Sequence, residues 1–104
     1  MTLDDLTQLL REVCAECYEV AAPSNQQRYI VYTPYTETAI QGDDTVCLAV
    51  TKVQIDVYTQ EMCDRLASDV RRALTDAGWN YMEVASGYDD EFAACRTILQ
   101  TWVV

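Results

Sequence analysis

The chain has 104 residues, half of them hydrophobic, and sets 17 acidic side chains against 7 basic ones for a formal charge of −10. That length supplies one domain, residues 1–104, and its Tyr, Trp, Val and Ile content is that of a folded chain. The charge argues against specific nucleic-acid binding, which rests on clustered Lys and Arg; the lack of histidine removes the commonest general base and metal ligand; and no uncharged run approaches the ~20 residues of a membrane helix.

Taken in order, residues 3–18 predict an amphipathic helix, with Leu3, Leu6, Leu10, Val13 and Cys17 recurring at three- and four-residue steps. Thr2 is placed to cap it, and Asp4 and Asp5 suit the positive end of its dipole. These early charges leave no apolar signal-peptide core, so the chain is expected to stay in the cytoplasm where it is made. Cys14 and Cys17 form a CxxC, but near a helix C-terminus the dipole opposes a thiolate, and no second pair completes a zinc set. Most of the five cysteines are read as small buried hydrophobes.

Arg28 to about Ile40 and Val46 to Tyr58 read as strands joined by the turn residues Gln41-Gly42-Asp43-Asp44, giving a β-hairpin over 28–58. Straight, the second strand would run ~44 Å at ~3.4 Å per residue. A compact chain of this length is only roughly 33 Å across. The apolar phase also slips: Val46, Leu48 and Val50 are even-numbered, while Val53, Ile55 and Val57 are odd, which predicts a bulge or bend near Thr51-Lys52. The segment Val46-Cys47-Leu48-Ala49-Val50 is apolar at every position. Either the strand bends over its own core, or it projects as an arm that needs cover from elsewhere.

Gln60 to Ala77 predicts a second helix whose buried stripe is Met62, Leu66, Val70, Ala73, Leu74 and Ala77, stopped by Gly78. Strands follow at Trp79–Ala85 and Ala94–Val104, joined by Ser86-Gly87-Tyr88-Asp89-Asp90-Glu91. The order helix, hairpin, helix, hairpin predicts an α+β fold: a mainly antiparallel four-stranded sheet with both helices on one face.

No catalytic, cofactor or metal site emerges. The glycines are isolated at turns, and Asp43-Asp44 and Asp89-Asp90-Glu91 lie in turn-like segments with nothing to raise a carboxyl pKa. Most tyrosines suit half-buried sheet surfaces. Tyr35 and Tyr88, near edges and loops, are assigned to an interface, together with the hairpin tip Gln41, Gly42, Asp43, Asp44, Thr45, Val46 and Leu48 and the loop Asp89, Asp90 and Glu91.

The run Lys52-Val53-Gln54-Ile55-Asp56-Val57-Tyr58-Thr59, passing into a helix with Leu66, Val70 and Leu74 that ends at Gly78-Trp79, is similar to small tail terminator and tail completion proteins of long-tailed phages. The loop Tyr88-Asp89-Asp90-Glu91 and its closing strand fit the same pattern, and the resemblance covers roughly residues 28–104. It implies a non-enzymatic subunit without cofactors that forms a hexameric ring with copies of itself. Such a ring caps the tail tube, meets the head connector, and passes from host cytoplasm into the virion. The alternative is an acidic DNA mimic that binds a nucleic-acid enzyme, motivated by the charge alone.

Overall fold

The computed structural model describes residues 2–23, 27–41, 46–91 and 93–103, with the side chains of 37–41 and 46–50 outside the description. Among these residues there are two helices, α1 (Leu3–Val13) and α2 (Leu66–Asp76). There are five strands: β1 (Cys17–Glu19), β2 (Tyr29–Gln41), β3 (Val46–Thr59), β4 (Tyr81–Asp89) and β5 (Ala94–Val103). The sheet order is β1-β2-β3-β5-β4, antiparallel throughout except where β1 runs parallel to β2.

The first helix opens on a reciprocal cap. The Thr2 hydroxyl accepts from the Asp5 amide at 3.2 Å, and the Asp5 carboxylate accepts from the Thr2 amide at 2.9 Å. It ends five residues earlier than the apolar spacing predicts. Cys14 takes an extended backbone, and the chain bends into β1, where Cys17 lies opposite Ile30. Cys17 joins the core as a strand residue, which is why the helical period carried on through it. The sheet therefore has five strands and one parallel pair, a correction to the four-stranded expectation.

The second helix starts at Leu66, where the Asp64 carboxylate accepts from the Leu66 amide at 2.9 Å. Residues 60–65 are a turn, so Met62, placed by its spacing in the buried stripe, is instead 86% exposed. At the other end Gly78 adopts φ +84°, and the amides of Gly78 and Trp79 bond back to Thr75 and Leu74. A Cβ at Gly78 would meet nothing within 4 Å, so the glycine is there for its backbone angle.

Both helices lie on one face of the sheet. Leu6 and Leu10 of α1 and Leu66, Val70 and Leu74 of α2 pack on Ile30, Tyr32, Val53, Ile55, Val57 and Leu99, with Trp79 closing the end. The β2–β3 pairing is unbroken from Tyr29 opposite Tyr58 to Gln41 opposite Val46. The bulge expected near Thr51 does not interrupt it. The phase change instead coincides with the last described β3–β5 pair, Thr51 opposite Val103, beyond which β3 is paired with β2 alone among the described residues. β1 likewise reaches only Tyr32. Beyond Thr36 and Thr51, among the described residues, β2 and β3 pair only with each other. The molecule measures 50 × 29 × 22 Å with a Cα radius of gyration of 15.0 Å, against ~13 Å for a compact chain of this length.

Candidate assembly surface

Direct strand partners point to the same side of a sheet, so the pairings sort the side chains by face. Odd positions of β3 and β5 face the helices. Even positions, together with odd positions of β2, face away. No helix covers that second face among the described residues, yet several of its members are buried. Val31, Tyr58 and Ala94 form a small cluster with Ala22 and Tyr29 against it.

At its centre Tyr29 stacks on Tyr58 with centroids 4.6 Å apart, and the Arg96 guanidinium sits 5.5 Å over the Tyr58 ring. Arg96 bridges two carboxylates, Asp56 at 3.2 Å and Asp89 at 3.3 Å. Asp56 is 5% exposed and also accepts from Gln54 Nε2 at 3.2 Å. Burial, reinforced by the Asp56 charge, pushes the Tyr58 hydroxyl up to about 12. Lys52 and Arg96 balance Asp56 and Asp89 on this face, so its described side chains carry no net charge in a chain of −10. Its tyrosines and arginine are residue types enriched at protein interfaces, though four charged side chains make it more polar than an interface core. The sequence reading missed this face. Its signal was the alternation Gln54, Asp56, Tyr58 between the buried Val53, Ile55 and Val57, which marks a second, polar face.

The predicted interface residues separate. Tyr35 is on the helix-free face, at the border of the projecting ribbon, and 37% exposed. Gln41, Val46 and Leu48 lie at the far end of that ribbon, their side chains outside the described residues; Gly42, Asp43, Asp44 and Thr45 lie outside them entirely. Tyr88 and Asp89 belong to β4 and not to a loop. Tyr88, 60% exposed, sits on the helix side, where with Met62, Ala67 and Arg71 it lines a groove of about 210 Å³. Asp89 is held by Arg96 and accepts from the Glu91 amide at 3.0 Å, while Asp90 and Glu91 are exposed in the turn that follows. The two groups of predicted contact residues thus sit apart, one on the ribbon and one on the outermost strand.

β4 forms that outer edge. Every residue from Met82 to Tyr88 is exposed, including Met82 at 50% and Val84 at 53%. Val84 is the extra residue of a bulge between Glu83 opposite Leu99 and Ala85 opposite Ile98. Arg71 of α2 pairs with Glu83. Chemistry is sparse elsewhere. Among the described residues no three His, Cys, Asp or Glu side chains group as a metal site would require, and no helix is long and apolar enough to cross a membrane. Cys14 and Cys17 are buried free thiols, and burial pushes both up, Cys17 to about 11. At neutral pH both are held as thiols, the unreactive form.

No protein-family model matches the sequence, and no curated protein does. Three chains of solved structures match, among them a chain from the virion of a native gene transfer agent particle. The two share 18% sequence identity over 90% of this chain and 83% of that one, with a TM-score of 0.58. At that identity the likeness establishes a shared fold, reached here by an α+β chain with a projecting ribbon and an open sheet edge.

Proposed function

We propose that this chain is a structural subunit of a phage or phage-like particle, a ring-forming tail terminator or completion protein that caps the tail tube and meets the head connector. The observation that carries the reading is the β2–β3 ribbon, paired in register to Gln41 opposite Val46 but, among the described residues, left behind by the rest of the sheet at Thr51. A two-stranded ribbon is marginal in water by itself. A subunit built to assemble explains its length better than one built to act alone. The shared fold with a virion chain points the same way, as does a helix-free face with balanced charge.

In this reading the subunit contacts copies of itself, a tube protein and a connector protein, and passes from host cytoplasm to virion. The strong negative charge suits a ring through which DNA passes without sticking. Negative-stain microscopy of the purified chain with and without tail tubes tests it. Rings, or caps on tube ends, are expected; a strict monomer that leaves tube ends bare in both conditions contradicts the proposal.

A further inference from the structure

Four stretches of strand edge are left without a partner among the described residues, on β1, on β2 beyond Tyr32, on β4 and on β3 along residues 46–50, and the first two carry guards against pairing. β1 is only three residues long. Next to it, the Ile30 amide donates to Glu16 and the Tyr32 carbonyl accepts from Val20, so even positions of β2 aim their backbone outward. Pro34 is one of these, and it has no amide to offer. Short strands and outward prolines are how sheets discourage unwanted pairing.

Neither device protects β4, whose bulge at Val84 leaves the run from Ala85 to Asp89 regular. Its nine residues contain no proline or lysine, and Met82 to Tyr88 are all exposed. Following the alternation outward from β2 through β3 and β5, the backbone groups of Tyr81, Glu83, Ser86 and Tyr88 face away from β5. The other unguarded edge is on the ribbon. Along residues 46–50, β3 has β2 on one side and, among the described residues, no strand on the other, the pairing with β5 being described as far as Val103 opposite Thr51. The alternation aims the backbone groups of Cys47 and Ala49 to that open side. Five residues run ~17 Å, and the nine of β4 run ~30 Å, so the β4 edge is long enough to take that of the ribbon.

We infer that the open edge of β4 accepts the β2–β3 ribbon of a second copy of this chain, which adds along residues 46–50 as the next strand. The inference rests on the reading of the chain as a ring-forming subunit and names the contact that closes the ring. Charge permits it, because both β4 carboxylates have a cation beside them, Arg71 for Glu83 and, shared with Asp56, Arg96 for Asp89, which weakens their repulsion of an acidic ribbon. Main-chain pairing supplies the attachment in such strand addition, and the exposed Met82 and Val84 supply apolar contact. Donor and acceptor are different surfaces of one chain, so the contact is head-to-tail, the kind that closes into rings.

A mixing experiment tests this. A donor-less chain replaces residues 38–49 with Asn-Gly, joining the cross-strand pair Glu37 and Val50 through a two-residue turn. An acceptor-less chain carries Ser86→Pro, which removes an outward amide; a second version carries Val84→Lys, a change at an exposed site that spares the backbone. Circular dichroism verifies folding. By native mass spectrometry each variant alone is expected to be monomeric, and the two mixed to give a one-to-one complex that grows no further. If the wild type assembles and either variant alone assembles equally well, or the mixture stays monomeric, this contact is wrong while the ring reading stands. If the wild type assembles neither alone nor on tail tubes, the ring reading itself falls and takes this contact with it.

Discussion

The ion pair on the helix-free face gives the sharpest test of how that surface is built. Asp56 is almost fully buried, and its charge is held by Arg96 at 3.2 Å and Gln54 at 3.2 Å. Deleting one partner of a fully buried pair costs about 3–5 kcal/mol, because the other charge is left uncompensated. Here the Arg96 side chain is about a quarter exposed, so water reaches the vacated space and the cost falls to about 2 kcal/mol. Loss of the cation over the Tyr58 ring adds about 0.5–1 kcal/mol. Arg96→Ala is therefore expected to lose about 2–3 kcal/mol in urea denaturation. Removing the stranded charge as well, in Arg96→Ala with Asp56→Ala, is expected to recover about 1 kcal/mol of that. A loss below about 1 kcal/mol for the single variant, with no recovery in the double, refutes the view that Asp56 depends on Arg96.

Two further outcomes follow from titrating groups. Cys17 and Tyr58 hold their protons up to about 11 and 12, so between the unfolded and folded values the native state binds protons that the unfolded chain has released. Stability is then full below about pH 8.5, the unfolded thiol value, and falls as pH rises from there. Cys17→Ala is expected to remove on the order of 2 kcal/mol of that fall, and a wild-type stability flat from pH 8 to 10.5 under reductant contradicts it. At the acid end, Arg28 and then the Leu66 amide hold the Asp64 carboxyl below its usual range. Its contribution is present above about pH 4 and lost as pH falls through the lower folded value. Asp64→Ala is expected to cost about 1 kcal/mol at pH 7, from the lost bonds to Arg28 and to the Leu66 amide, and little once the wild-type carboxyl is protonated; an equal cost at both pH values contradicts the assignment.

Much of the fold was legible because the local signals agree with the tertiary ones. Thr2 and Gly78 mark real helix ends, and alternation in β3 marks a real buried face. Errors arose where two structures share one pattern. Cys17 keeps step with the helical repeat while sitting in a strand, and Met62 keeps step with α2 from a turn where nothing covers it. The phase slip at Thr51 was visible, but not what accompanies it, since a bulge and the last pair with a neighbouring strand leave the same trace in one strand's sequence. The Asp56–Arg96 network joins residues forty apart, a distance no local pattern spans. The open edge of β4 depends on which strand ends up outermost, and short-range signals do not encode strand order.

Cover for the end of the ribbon comes, in this reading, from another subunit, and amide hydrogen exchange reports it directly. In the separate subunit the amides of Cys47 and Ala49 face away from β2 and are expected to exchange quickly. In the assembled particle they are expected to slow by orders of magnitude, together with the outward amides of β4. Equal protection of residues 46–50 in the isolated monomer and in the assembly would contradict the account, for the ribbon would then need no partner.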